Sequence, residues 1–360
     1  MSFLRSTRGY ERWLGRQTRI VQADLRLKHR RMAEDLFSFL RATYYRWAEL
    51  WPELCPELAA APSVLSVGDL HVENFGTWRD AEGRLVWGVN DFDESDWLPA
   101  TQDLVRLAAS AVLARRVHRL SLTAERACEI LLEGYVDCLD EGGRPFVLDE
   151  AHRALRLMAV ERLRDPVKFW EKMDRLRPTR GRAPSAAMKV LIKQLPHPEL
   201  PFETFHRVAG LGSLGRQRFV AIAEWQGGRI AREAKALAPP ATSWAAGRRT
   251  SKIHYQDILT RAIRCQDPMV RARRRWILRR LAPDCSRIEL SDLPGERDET
   301  RLLYDMGWET GNVHLGTGRS KTFRSVIAAL GSEWLLPASK RMVRAVKADW
   351  KEWRGRRGGS

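Results

Sequence analysis

The sequence predicts an α+β protein with two lobes, a large helical lobe and a small lobe built on an antiparallel sheet. Three observations point there. Apolar residues recur at helical spacing through residues 5–50, through 100–139, and near the end, where Met342, Val346, Trp350 and Trp353 form one stripe. Residues 205–235 change texture to strand, Gly-rich loop, strand, turn, strand. Between the helical stretches, apolar residues 64–67 lead into Gly68-Asp69-Leu70-His71-Val72-Glu73-Asn74-Phe75, and a second apolar run, 85–89, leads into Asn90-Asp91-Phe92-Asp93-Glu94.

Taken in order, Trp13, Leu14, Ile20 and Leu25 begin the first helical stripe, and Met32, Leu36, Phe39, Leu40 and Tyr44 continue it. Residues 51–62 hold three Pro and read as a loop or short helix. Strands 64–67 and 85–89 are separated by the loop 68–75 and a turn at Asp80-Ala81-Glu82-Gly83. In 100–139, Leu104, Leu107, Ala108, Ala111 and Val112 make one face, and Leu131, Leu132, Tyr135 and Val136 a later one. Gly142-Gly143 closes that helical hairpin. Residues 149–176 and 185–194 read as helices around a basic loop, 177–184. After the Gly-rich segment come a helix over 253–264, a strand over 276–283, and helical residues 302–309 and 313–316. His314 reads as a packed core histidine. A basic amphipathic helix follows over 337–354, whose expected role is docking on the large lobe rather than on a membrane surface, and then a frayed tail. The expected division is a helical lobe over 1–200, a strand lobe over 201–290, and C-terminal helices over 291–360 that return to the first lobe.

A chain of 360 residues can bury a large core. Its 44% hydrophobic and 30% charged content is that of a soluble globular protein, and no apolar run reaches membrane-spanning length. The first residues lack the apolar core of a secretory signal. The five Cys form no C-x-x-C pair, which argues against zinc and fits free thiols in a reducing cytoplasm. The net charge of +17 could draw nucleic acid, an anionic surface or a phosphorylated ligand. The Arg residues are spread along the chain, however, so a solvated basic surface is the favoured reading. The densest cluster is Arg271-Ala272-Arg273-Arg274-Arg275.

The chemistry lies in the loop 68–75 and the segment 90–94. Asp69 and Asn74 stand five residues apart, and Asp91 closes the next strand. Phosphoryl transfer from ATP needs such a set: a carboxylate that takes the proton of the attacking hydroxyl, and an Asn and a second carboxylate that hold magnesium on the phosphates. Each piece alone is ordinary turn chemistry. Their order, with a strand between, is what carries the signal. The segment Gly210-Leu211-Gly212-Ser213-Leu214-Gly215 lies between two strands. It therefore reads as a loop whose backbone covers phosphates, not as the dinucleotide fingerprint, which must open a helix.

The motif Gly-Asp-Leu-His-x-x-Asn resembles the catalytic loop of aminoglycoside phosphotransferases and related small-molecule kinases. More closely, GDLHVENFG, NDFDE, DLVRLAAS, GLGSLG and the REA segment are similar to the bacterial family domain of unknown function 2252, over nearly the whole chain. The resemblance implies a protein-kinase-like fold that uses ATP and magnesium. It implies Asp69, His71 and Asn74 at the catalytic centre and Asn74, Asp91 and Asp93 on the metal side. It further implies Gly210, Gly212, Ser213 and Gly215 over the phosphates, and Asp103 bracing the catalytic loop. The phosphate-binding cation is Arg232 or Lys235. Arg232, seventeen residues after Gly215, is preferred on spacing and register. Its acidic partner is Asp257 or Glu233. In kinases the Gly-rich lobe comes first; here it follows the catalytic loop, so a circular permutation is expected. Transfer to a hydroxyl of a small molecule is the favoured function. A nucleotide-binding pseudokinase acting through partners, and a basic nucleic-acid-binding protein without catalysis, are the alternatives.

Overall fold

The computed structural model describes all residues except 119–120, 163–164, 180–182, 250–251, 286–295 and 356–360, so most of the expected tail and part of the basic loop lie outside the described residues. Four helices open the chain, α1 (Phe3–Gln17), α2 (Gln22–Arg31), α3 (Leu36–Ala42) and α4 (Tyr44–Leu54). Ser2 and Asp35 cap α1 and α3 by accepting the backbone N–H groups of Arg5 and Ser38, which the first turn of a helix leaves unpaired. Next come β1 (Ser63–Ser66), β2 (Phe75–Arg79), β3 (Leu85–Val89) and β4 (Asp96–Pro99). The helices α5 (Ala100–His118) and α6 (Ala124–Glu141) and the short β5 (Phe146–Val147) complete this region. β1 pairs with β4, and β2-β3-β5 form a small antiparallel sheet.

The helices α7 (Arg153–Arg162) and α8 (Pro166–Asp174) lead to the small lobe. It contains β6 (Arg177–Pro178), α9 (Ser185–Ile192), β7 (Glu203–His206), β8 (Arg218–Trp225) and β9 (Gly228–Ala236). The helices α10 (Ala241–Ala245) and α11 (Tyr255–Arg261) precede its last strands, β10 (Arg271–Arg273) and β11 (Trp276–Leu281). The six strands run β10-β11-β9-β8-β7-β6, antiparallel throughout. Alternation divides the sheet. Phe219, Ala221, Ala234, Ala236, Trp276 and Leu278 pack under Ala187 and Leu191 of α9. The opposite face therefore carries Arg218, Glu233, Lys235 and Arg279. It looks toward the large lobe.

The chain then returns to the large lobe through α12 (Glu296–Leu315), α13 (Ser320–Leu330) and α14 (Leu335–Gly355). α12 lies tightly on α6. A Cβ placed on Gly307 would stand 2.1 Å from the carbonyl oxygen of Leu131, so no larger residue fits without moving the helices apart. The end of α12 runs beside β1: Thr317 Oγ1 accepts the Leu65 N–H at 2.9 Å. α14 buries Met342, Val346 and Trp353, and Trp350 Nε1 donates to the Met32 carbonyl at 3.1 Å. The helix docks on the large lobe, as expected. No described helix is long and apolar enough to cross a membrane.

Several boundaries differ from the sequence reading. The small sheet recruits β6 and α9, so strand pairing begins at Arg177 rather than after residue 200. The expected helix 253–264 shrinks to α11, and α10 before it was not anticipated. Residues 149–176 are two helices, with Asp165 accepting the N–H groups that open the second. β2, β4 and β5 were not expected; none of them carries the strict apolar alternation that marks a strand.

One buried acid links the returning helix to the site. Glu309 of α12 accepts the Val89 N–H at 3.1 Å, at the end of the strand that delivers Asp91. Burial pushes its carboxyl from 4.5 up to about 7, and Arg264 only partly offsets this. Between those values the folded state holds a proton that the unfolded chain releases, so stability falls as pH rises. The loss should approach about 3 kcal/mol. Glu309→Gln keeps the carbonyl acceptor and removes the titration. Urea unfolding at pH 5 and pH 8 should show the variant gaining on the wild type at the higher pH.

Candidate functional site

The loop after β1 is fixed before any ligand enters. Gly68 has φ +82°, and a Cβ there would lie 2.3 Å from the Glu94 carbonyl oxygen, so this residue must be glycine. Asp103, fully buried at the start of α5, accepts the N–H groups of Val67 and Gly68 at 2.7 and 2.9 Å. His314 Nε2 lies 3.2 Å from Asp103, and its Nδ1 lies 3.0 Å from the Tyr135 hydroxyl. This histidine is packed in the core, as expected, but it also secures the brace of the loop.

Asp69 emerges from this frame. Its Oδ1 accepts from Arg106 Nη2 at 2.6 Å and Nε at 3.2 Å. Arg106 is fully buried one turn after Asp103, donates to the Leu40 carbonyl and stacks on Trp47 and Tyr44. Burial raises the Asp69 carboxyl above its ordinary range, and Arg106 works against that rise. Oδ2 is the oxygen Arg106 does not take. The next residues form a single 3-10 turn, Val72–Asn74. His71 Nδ1 accepts the Glu73 N–H at 3.2 Å, and Asn74 Oδ1 accepts the His71 N–H at 2.7 Å. An amide oxygen has two lone pairs, so Asn74 retains one for a cation.

Asp91 and Asp93 follow β3. Lys235, 1% exposed, reaches across from β9 to Asp93 Oδ1 at 2.6 Å and Asp91 Oδ1 at 3.4 Å. Arg216 takes Asp93 Oδ2 at 3.4 Å and Glu94 Oε1 at 2.7 Å. Asp93, expected on the metal side, is thus held by two cations from the other lobe and is less open to a metal than Asp91. Asp91 remains more open. Burial opposes its ionisation, but Lys235 and Arg279 outweigh it and hold the carboxyl well below the usual range.

The preference for Arg232 is also corrected. Arg232 points from the other face of β9, where Nε donates to the Gln194 carbonyl at 3.2 Å and Nη1 to that of Ala231 at 3.0 Å. Strand alternation separates the two cations, and Lys235 is the one the sheet turns toward Asp91. Neither expected acid pairs with Lys235. Asp257 binds Lys252 and His254, and Glu233 binds Arg207 and Arg218.

The Gly-rich turn 210–215 lies over Asp69. A Cβ on Gly212 would sit 3.4 Å from Asp69 Oδ2. Lys28 Nζ donates to the Gly212 carbonyl at 2.8 Å, and Val21 N–H to that of Gly215 at 2.8 Å, so α2 pins the loop. Burial pushes the Lys28 ammonium down to about 8. Ser213 Oγ accepts from Arg218 at 3.0 Å. Gly210 borders the cavities on both sides of the loop.

Two cavities meet at Asp91. The inner one, of about 50 Å³, is lined by Asp69, His71, Asn74, Asp93 and Gly212. The outer one, about 430 Å³, is bounded by Arg218, Glu233 and Arg279 of the sheet, Tyr255 of α11, and Leu281 and Ala282 at the end of β11. That volume is within the range of small-ligand sites. Among the described residues, no three His, Cys, Asp or Glu side chains converge as a self-sufficient metal site. Magnesium typically takes one or two protein ligands plus phosphate oxygens, so Asp91 with Asn74 fits it without a third carboxylate.

Several site residues escaped the sequence reading. Arg106 had a signal: it falls three positions after Asp103 and so on the same helix face. Arg216 and Lys28 had none, because their partners are remote in sequence.

No curated protein and no solved structure matches the chain. A family model matches residues 19–193, which include Asp69, Asn74, Asp91, Asp103 and Arg106 but neither the Gly-rich loop nor Lys235. The match is therefore shorter than the near-complete resemblance expected. Over residues 19–193 the chain is similar to the bacterial family described as Uncharacterized protein conserved in bacteria (DUF2252).

Proposed function

We propose that the protein is an ATP- and magnesium-dependent phosphotransferase with a circularly permuted, protein-kinase-like architecture, acting on a hydroxyl of a small molecule. The observation that carries this reading is the ion pairing of Lys235 with Asp91 and Asp93, beside Asp69 and under a Gly-rich turn. A core salt bridge explains a Lys and an Asp. It does not explain why a second carboxylate, an Asn and a loop of glycines gather at one junction of two cavities.

In this reading the nucleotide lies in the outer cavity with its phosphates toward Asp91, Lys235 and Gly210. Magnesium, held by Asp91 and Asn74, would neutralise charge on the phosphates. Asp69 Oδ2 takes the proton of the acceptor hydroxyl, while Arg106 keeps the carboxylate oriented. The small-molecule acceptor follows from the Gly-Asp-x-His form and rests on resemblance. The permutation is supported by α12, which follows the small lobe in sequence yet lies beside the strand entering Asp69.

A second reading, a nucleotide-binding pseudokinase, is favoured by one feature. The cavity at Asp69 is only about 50 Å³, too small for an acceptor while Gly212 covers the carboxylate. Transfer requires the turn to lift. Both readings predict that ATP with magnesium raises the melting temperature, by an amount equivalent to about 2.7 kcal/mol at a hundredfold excess over Kd. Release of γ-phosphate then separates them. No shift with any purine nucleotide, with or without metal, removes both.

A further inference from the structure

The small lobe carries a second candidate site on the sheet face away from Lys235. Between α9 and the β10–β11 hairpin lies a groove of about 740 Å³, lined by Lys189, Lys193, Arg273, Arg274 and the edge of Trp276. All four cations are exposed, and among the described residues no acidic one lines the groove. No ion pair among the described residues engages these four cations, whereas Arg84 meets Asp80 and Glu150 and Arg229 meets Asp174. Four positive charges facing one concavity repel one another, and a fold gains nothing from gathering them there.

The backbone supplies an independent observation. Arg273 pairs with Trp276, so Arg274 and Arg275 form a two-residue hairpin loop. Arg274 has φ +55°, a left-handed conformation that such loops normally give to Gly or Asn. A residue with a Cβ loses roughly 1 kcal/mol there. Arg275 turns away and donates to the Gln17 carbonyl. Arg274 thus holds a strained position and lines the groove.

We infer that this groove binds the phosphodiester backbone of a single-stranded nucleic acid, independently of the nucleotide cleft. Lys189 and Lys193, one helical turn apart, and the two hairpin arginines would each meet a phosphate. A lipid surface is disfavoured by shape and composition: the cations line a concavity, and none of the large exposed hydrophobic residues, among them Leu157, Val160 and Val167, lines it. Four phosphate contacts to a single strand give a salt slope near −3, so affinity should fall about fiftyfold between 50 and 200 mM salt.

Fluorescence anisotropy with a labelled 12-nucleotide oligo-dT or oligo-U tests this on the full chain. Lys189→Glu with Lys193→Glu should weaken binding at least tenfold at 100 mM salt and lower the slope by about 1.4. Arg274→Gly should weaken it severalfold while leaving the melting temperature equal or higher, a combination that loss of structure cannot produce. Unchanged binding in both variants would overturn the assignment, as would absence of binding by the wild type. Equal or tighter binding of poly-glutamate, or of vesicles containing phosphatidylserine, would overturn the choice of nucleic acid. ATP-dependent stabilisation should be the same in all variants, so failure here leaves the nucleotide reading standing and the converse also holds.

Discussion

Asp69→Asn is expected to lower phosphoryl transfer by about 10²-fold or more while the protein stays folded and still binds nucleotide. An amide oxygen can accept the hydrogen bonds that Arg106 now gives to Oδ1, but an amide cannot take a proton from an acceptor hydroxyl. Arg106 loses its charged partner. It keeps the Leu40 carbonyl and the faces of Trp47 and Tyr44, so the stability cost should be limited to about 1–3 kcal/mol. The measurement is paired: γ-phosphate release, and the melting shift on adding ATP with magnesium. Asp91→Asn should do the opposite, weakening the metal-dependent shift itself. Turnover that survives Asp69→Asn would remove the base from this site, and an unfolded variant would make the Asp69–Arg106 pair structural.

What could be read beforehand was what local spacing encodes. The helical stripes, the strand before Asp69 and the strand–Gly-rich loop–strand order are properties of neighbouring residues, and each reappears in the structure. The failures have one physical origin. Arg232 and Lys235 differ by three positions on a strand, and an odd offset reverses the face. Which face meets the large lobe is set by α9 covering Ala234 and Ala236, a helix that lies more than thirty residues earlier. Likewise, Asp93 resembles Asp91 in sequence, and only the arrival of Arg216 and Lys235 from the other lobe makes the first less open than the second. The brace of Asp103 by His314 needed the end of the chain to return to its beginning, and no window of sequence contains both.

Lys235→Met should give the largest loss of stability at the site and should also abolish the nucleotide effect. Lys235 is buried, and burial lowers the proton affinity of its ammonium while Asp91 and Asp93 restore part of it. Methionine fills similar space without charge, so the change isolates the ion pairing from packing. Removing one partner of a buried pair typically costs 3–5 kcal/mol, because the other charge is left uncompensated. The lower end, about 3 kcal/mol, applies here because Arg216 still reaches Asp93 and Arg279 lies 3.8 Å from Asp91. The pH dependence gives a signature. The Asp91 carboxyl is held below its unfolded value, so its stabilisation is complete above about pH 4 and is lost as pH falls further. The gap between wild type and Lys235→Met should therefore be full at pH 7 and narrow toward pH 3. Arg232→Ala is the control. It breaks contacts to the Gln194 and Ala231 carbonyls on the far face and should leave ATP-dependent stabilisation intact. Loss of the ATP effect in Arg232→Ala but not in Lys235→Met would mean that the sheet presents its other face to the nucleotide, and the cleft at Asp91 would no longer be its site.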